Sequence, residues 1–180
     1  MHDDIESILI TQEKIENRIK ELGKEITRDY EGKFPLLVCI LKGAFLFLAD
    51  LVREIDIPVS VDFMAISSYA GQTESTGQVK ILKDLDTLIE DRHVLIVEDI
   101  IDTGLTMNSV IKLLKTRKPK SIKICTLLDK VERRVINVKI DYYGFQIPNS
   151  FVVGYGLDFE EKYRNLPYIG VLKEKITREA

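Results

Sequence analysis

The residues best suited to chemistry lie together in residues 93–106, HVLIVEDIIDTGLT. Four apolar residues, 94–97, are followed by Glu98 and Asp99 and then by the short turn DTGLT. A buried strand that ends in acidic side chains and continues through a small, hydroxyl-bearing turn into a helix is typical of an α/β sheet edge that binds a phosphorylated ligand. The acids beside the turn indicate that the ligand brings Mg²⁺ or a sugar with free hydroxyls.

The turn itself has the properties of an anion site. Gly104 allows close approach of the backbone, N–H groups at a helix start point toward the anion, and the hydroxyls of Thr103 and Thr106 add donors. A purely structural interpretation is a helix cap formed by Asp102 or Thr103, with Gly104 only turning the chain. The two adjacent acids before the turn favour function, because they repel each other and serve no packing need.

The surrounding pattern predicts an α/β scaffold. Helical spacing predicts helices after Thr11, over about 44–54, and from the DTGLT turn to Lys118. Apolar runs predict further strands at residues 34–41, 59–63, 79–82, 93–97, 121–128, 138–145, 151–155 and 168–172. Because strands alternate with helices, we expect a twisted, mostly parallel sheet flanked by helices, with right-handed crossovers.

Bulk properties exclude several classes of protein. A chain of 180 residues favours a single domain, and its net charge of −3 provides no basic field for nonspecific nucleic-acid binding. Cys39 and Cys125 lie in apolar runs and are expected to be reduced core thiols rather than a disulfide or metal site. No signal peptide and no apolar segment of about 18 residues is evident, so we expect a cytoplasmic protein without a membrane span.

Five segments of the chain resemble the motifs of one protein family. The segment VEDIIDTGLT resembles the phosphoribosyl-pyrophosphate motif of the type I phosphoribosyltransferases, in particular the form found in hypoxanthine-guanine phosphoribosyltransferases. Four further segments resemble that family in order: the pyrophosphate loop Leu41-Lys42-Gly43, the mobile lid 67–77 beginning Ser67-Ser68-Tyr69, the purine-reading Lys130 in LLDKVERR, and the base-stacking FVVGYGLD followed by Arg164. The resemblance spans nearly the whole chain.

The resemblance implies a reaction and an architecture. A 5-phosphoribosyl group would pass from 5-phosphoribosyl 1-pyrophosphate to N9 of a 6-oxopurine, hypoxanthine or guanine, with Mg²⁺ as cofactor and pyrophosphate as product. It also implies the type I phosphoribosyltransferase fold, with a core over about 34–145 and a small hood built from the N-terminal segment and about 146–180. Relatives of this kind are commonly homodimers or homotetramers.

The resemblance also assigns roles to residues. Those expected to hold the donor are Thr103, Gly104, Leu105 and Thr106 at the 5′-phosphate, Glu98 and Asp99 at the ribose hydroxyls, Lys42, Gly43 and Arg164 at the pyrophosphate, and Ser68 and Tyr69 in the lid. Those expected to serve the purine are Asp102 as general base, Lys130 at O6, Phe151 as stacking ring, the Val152 backbone, and Asp158. The metal side would comprise Asp158, Glu98 and Asp99. Relatives commonly have a lysine at the position of Leu105, so the resemblance does not imply that this chain has their affinity for the donor.

Three alternatives stay open at this stage. A non-catalytic regulator could bind the same donor and control nucleic acids, but it would usually add a DNA-binding domain or a basic face. A receiver-type signalling domain also places acids and Mg²⁺ at strand ends, although it has no use for the lid or for Lys130. Within enzymes, a xanthine-guanine or adenine transferase is the remaining alternative.

Overall fold

The computed structural model describes residues 1–68 and 79–178 of the chain. Tyr69 and most of the predicted lid therefore lie outside the described residues. The strands are β1 (Ile5–Ile10), β2 (Leu36–Leu41), β3 (Ser60–Ser68), β4 (Val79–Lys83), β5 (His93–Ile101), β6 (Ser121–Asp129), β7 (Tyr142–Gln146), β8 (Val152–Val153) and β9 (Ile169–Leu172). The α-helices are α1 (Gln12–Asp29), α2 (Phe45–Arg53), α3 (Leu105–Lys115) and α4 (Glu174–Arg178). Ser68, the first of the two predicted lid residues, is the last residue of β3.

Two sheets organise these elements. The larger has six strands in the order β4-β3-β2-β5-β6-β7, parallel throughout except for β4, which runs antiparallel to β3. The smaller is antiparallel, in the order β1-β9-β8, and joins the N-terminal segment to the C-terminal part of the chain. The predicted mostly parallel α/β fold is confirmed, whereas the division into one domain with core and hood stays a prediction.

The central strands are buried on both faces, as their continuous apolar sequence predicts. Leu37 and Cys39 of β2 belong to a core shared with α1 and α2, while Val38 and Ile40 belong to a second core with α3 on the opposite face. Helix α1 begins as expected, with Thr11 Oγ1 accepting the N–H of Lys14 at 3.4 Å. The sheet is therefore held between helices that pack on its two faces.

Strand β5 is longer than predicted and changes how the acidic pair is understood. It continues beyond Val97 to Ile101, because β6 remains paired with it up to Asp129. Glu98 and Asp99 are thus inside the strand, and successive side chains of a strand point to opposite faces. The interpretation of a strand ending at Val97 was wrong, and the two carboxylates serve different sides of the sheet.

Other elements also differ from the sequence pattern: β7 begins at Tyr142 rather than at residue 138, and β3 continues to Ser68 rather than ending at residue 63. Strand β1 was not predicted: Glu6 and Ser7 separate Ile5 from the apolar residues 8–10, and the strand is defined by its pairing with β9. In β3, Val61 and Phe63 are each 38% exposed, while Asp62 and Met64 are buried. The side chains therefore alternate as expected, but the residues expected to face the core are the partly exposed ones. No helix among residues 1–68 and 79–178 has the length and apolar character needed to cross a membrane.

Candidate active site

The turn after β5 forms a concave site at the start of α3. Gly104 has φ of 82°, in the left-handed region, and is the N-terminal cap residue of the helix. A Cβ at this position would lie 2.4 Å from the Ile136 carbonyl oxygen, so the turn needs glycine for space as well. A cavity of about 130 Å³ opens here, lined by Glu98, Ile100, Ile101, Asp102, Thr103, Gly104, Thr106 and Met107. The N–H groups of a first helical turn lack partners within the helix, and here that of Leu105 donates to Thr103 Oγ1 at 3.4 Å. Such a helix start is a suitable site for an anion.

A segment after β6 supports the turn from behind. The Thr103 carbonyl oxygen accepts hydrogen bonds from the N–H groups of Val135 at 2.9 Å and Ile136 at 3.1 Å. Arg133 Nε lies 3.3 Å from Asp102 Oδ1, as an ion pair without hydrogen-bond geometry. Residues 131–134 belong to the segment LLDKVERR, but the resemblance assigned a role there only to Lys130 and did not indicate this support.

Glu98 faces the cavity with an unsatisfied oxygen. Its Oε2 is buried and has no hydrogen-bond partner among the residues that the structure describes. Burial, and next the charge of Asp99, raises the pKa of Glu98 well above its usual value. A buried acceptor without a partner is costly, and hydroxyl donors or a cation at this position would satisfy it.

Asp99 lies on the other face, against the predicted pyrophosphate loop. A Cβ on Gly43 would fall 1.6 Å from Asp99 Oδ2, so only glycine allows this approach. Gly156 packs on the same loop, because its Cβ would lie 2.0 Å from the Gly43 carbonyl oxygen. Burial raises the pKa of Asp99 to about 6, although the Ile100 N–H, at 2.7 Å, opposes the shift. The peptide bond between Leu41 and Lys42 is cis.

The two predicted pyrophosphate cations, far apart in sequence, meet above this loop. Arg164 Nη2 lies 2.9 Å from Asp158 Oδ1 and 3.3 Å from Glu161 Oε1, while its Nη1 donates to the Gly156 carbonyl at 2.8 Å. Lys42 Nζ lies 3.1 Å from Glu161 Oε2. Glu161 therefore bridges the two cations. The sequence motifs did not reveal it, although its position three residues after Asp158 is a signal that could have been used.

The predicted purine residues come from two segments of the chain, one after β6 and one at β8. Lys130 follows β6, is buried, and donates its backbone N–H to the Ile101 carbonyl at 3.0 Å, beside Asp102. Burial lowers the pKa of Lys130, although the charge of Asp102 opposes the shift. The Phe151 ring is about half exposed and meets Phe159 edge-on, with ring centroids 5.4 Å apart. The Val152 side chain is in the core, so only its backbone is available to a ligand.

The carboxylates suit a hard cation only in combination with a ligand. Glu98, Asp99 and Asp158 provide oxygen atoms of the kind that Mg²⁺ prefers. No group of three or more His, Cys, Asp or Glu side chains among the described residues could hold a metal ion by itself. Because protein-bound Mg²⁺ usually keeps waters and is shared with substrate phosphates, these residues fit an ion that arrives with the donor. Cys39 and Cys125 are free and buried, as expected.

Comparison with known proteins agrees with this geometry. A family model described as the phosphoribosyl transferase domain matches residues 6–160. The hypoxanthine-guanine phosphoribosyltransferase of Bacillus subtilis is 54% identical over 98% of each chain, and that of Streptococcus thermophilus is 55% identical over 98% of each. A crystal structure of a Staphylococcus aureus hypoxanthine phosphoribosyltransferase is 53% identical, covers 98% of this chain and 96% of its own, and has a TM-score of 0.95. The chain therefore belongs to the phosphoribosyltransferases and, among them, to the hypoxanthine-guanine phosphoribosyltransferase family.

Proposed function

We propose that this protein transfers 5-phosphoribosyl from 5-phosphoribosyl 1-pyrophosphate to N9 of hypoxanthine or guanine, forming IMP or GMP and pyrophosphate. The observation that carries the proposal is the cavity at the start of α3, where helix N–H groups face an anion site beside the buried carboxylate of Glu98. The relatives that match over nearly the whole chain bear the name of this activity.

The donor is held at three points. The turn from Asp102 to Thr106 binds the 5′-phosphate through N–H groups and hydroxyls, so Leu105 contributes its backbone only. Glu98 accepts hydrogen bonds from the ribose hydroxyls, and Asp99 adds negative potential from the other face of the sheet. Lys42, Gly43 and Arg164 bind the pyrophosphate as it leaves. Mg²⁺, held with the donor by Asp158 and the strand carboxylates, would supply charge neutralisation for the leaving group.

Asp102 is the proposed general base. The N9 lone pair forms the bond to C1 while the pyrophosphate departs with the electrons of the C1–O bond, and the N7 proton passes to Asp102. Because Arg133 lies against Oδ1 of this carboxylate, we assign the proton to Oδ2. A carboxylate is a weak base near neutrality, so the transfer relies on a proton made acidic by the developing bond to N9.

A purine panel tests the proposal. The protein is mixed with the donor, Mg²⁺ and hypoxanthine, guanine, xanthine or adenine, and nucleotide formation is followed. We expect IMP and GMP. Nucleotide from adenine alone, or from none of the four bases, would overturn the assignment.

Lys130 is expected to set the preference for 6-oxopurines. Its buried ammonium donates to O6, whereas adenine presents an amino group there and would leave the cation unpaired. A hydrogen bond to a charged group contributes about 1.5–3 kcal/mol, so Lys130→Ala should lower kcat/KM for hypoxanthine about 10- to 150-fold. Steady-state kinetics test this, with Lys139→Ala, a surface lysine paired to Asp141, as control. Unchanged kcat/KM for hypoxanthine would remove Lys130 from this role.

We also propose a cytoplasmic homodimer or homotetramer that acts on small molecules only. The apolar side chains of Phe45, Val61 and Phe63 are each about 40% exposed on the side of the sheet that carries α2, and a second copy of the chain would cover them. Light scattering during size-exclusion chromatography should give two or four times the chain mass. A monomeric mass at micromolar concentration would contradict the proposal.

A further inference from the structure

We infer that Glu161 is an internal competitor of pyrophosphate: its carboxylate binds Lys42 and Arg164 in the free protein, releases them when the donor binds, and binds them again as pyrophosphate leaves. This inference rests on the proposed function, since it takes Lys42 and Arg164 as the pyrophosphate cations.

The carboxylate of Glu161 is divided between the two cations. Oε2 lies 3.1 Å from Lys42 Nζ, and Oε1 lies 3.3 Å from Arg164 Nη2. One anionic group thus spans two cations from different ends of the chain, as a bridging phosphate would. The Lys42 ammonium, and next the Arg164 guanidinium, lowers the pKa of Glu161, so the bridge is charged at neutral pH.

The bridge is accessible enough to be displaced. The side chains of Lys42 and Glu161 are 69% and 65% exposed, whereas that of Arg164 is only 20% exposed. Ion pairs exposed to this degree contribute little to stability because water screens them. A ligand with several negative charges and a bound metal ion can therefore replace the single carboxylate, while the inner Arg164 stays held by Asp158 and the Gly156 carbonyl.

The backbone conformation at Glu161 indicates that the side chain has a role other than forming the turn. Phe159 and Lys162 exchange backbone hydrogen bonds of 3.2 and 3.0 Å, and the two residues between them, Glu160 and Glu161, have φ of 51° and 61°. Such two-residue turns favour asparagine and glycine at these positions. Two glutamates are a poor local choice, which is expected where a side chain serves a site. The Glu161 N–H also donates to Asp158 Oδ2 at 2.9 Å, so the main chain is fixed while the carboxylate can move.

The consequence for the reaction is a lower affinity for pyrophosphate and a faster release. In nucleotide synthesis pyrophosphate is a product, and a carboxylate that returns to the cations opposes its rebinding. Removing the charge of Glu161 should therefore tighten pyrophosphate binding and strengthen product inhibition, with purine KM unchanged.

Calorimetry of the whole protein with inorganic pyrophosphate and Mg²⁺ tests the inference. We expect Glu161→Gln to lower the Kd for pyrophosphate about 3- to 10-fold, the range that follows when one or two exposed ion pairs are lost. Glu160→Gln is the matched control, because it makes the same change in the same turn at a residue that pairs with Lys162 instead. Its Kd should stay within about twofold of the unmodified protein. Glu161→Asn, which removes the charge and suits the left-handed conformation, should reproduce the effect of Glu161→Gln.

The outcomes distinguish failure of this inference from failure of the proposed function on which it rests. Unchanged or weaker pyrophosphate binding in both Glu161 variants, with binding intact in the unmodified protein, overturns the competitor role and leaves the proposed function standing. Equal tightening by Glu160→Gln would attribute the effect to net charge alone and would also overturn it. Failure of the unmodified protein to bind millimolar pyrophosphate would reject the proposed function, and the inference with it.

Discussion

Replacing Asp102 with asparagine is expected to lower kcat by about 10²- to 10⁴-fold, the range contributed by a well-placed general base. Asparagine keeps the shape of the side chain but cannot take the N7 proton. The donor Kd should change less than about threefold, because the 5′-phosphate is held by N–H groups and hydroxyls of the turn rather than by this carboxylate. Asp102→Ala should give a similar loss of turnover.

Single-turnover kinetics with saturating donor and hypoxanthine measure the chemical step directly, and calorimetry measures the donor Kd. Asp86→Asn is a suitable control, since Asp86 is an exposed carboxylate paired with Lys83 outside the site. A single-turnover rate within threefold of the unmodified protein would remove Asp102 from the base role. A fall in donor affinity as large as the fall in rate would instead assign Asp102 to donor binding.

The part of the site that is formed by residues adjacent in sequence could be predicted from the sequence. The turn around Gly104 could be predicted because a glycine between a buried strand and a helical pattern has few structural alternatives. Lys130 and Phe151 were assigned from the family resemblance alone, and their roles at the purine stay predictions. The strand boundary at Val97 was wrong because pairing with β6, a tertiary interaction, extends β5 through two charged residues.

The contacts between distant segments could not be predicted from pattern. Glu161 approaches Lys42 only because Gly156 packs on Gly43, which brings the segment after β8 over the loop after β2. Arg133 reaches Asp102 because Val135 and Ile136 bind the Thr103 carbonyl. None of these residues has a periodicity or a motif that indicates its partner, so each contact is known only from the three-dimensional fold.

Gly43→Ala should impair donor binding although it adds only a single methyl group. The added Cβ would lie 1.6 Å from Asp99 Oδ2, so either the carboxylate or the loop must move. Moving the loop displaces Lys42 and breaks the packing of Gly156 on the Gly43 carbonyl. Overpacking of this kind costs about 1–3 kcal/mol, which corresponds to a rise in donor KM of roughly 5- to 150-fold.

A second substitution identifies the cause. In an Asp99→Ala background the clashing carboxylate is absent. The loss of unfolding free energy caused by Gly43→Ala should therefore be smaller in that background than in the unmodified chain, by at least about 1 kcal/mol. Urea denaturation of the four proteins of this cycle measures the difference. Gly32→Ala is the control for the general cost of replacing a glycine, because a Cβ there meets nothing within 4 Å and only its φ of 69° opposes the change. Equal losses of stability from Gly43→Ala in both backgrounds would show that Asp99 is not what excludes a side chain. The requirement for glycine would then lie in the loop itself rather than in its approach to Asp99.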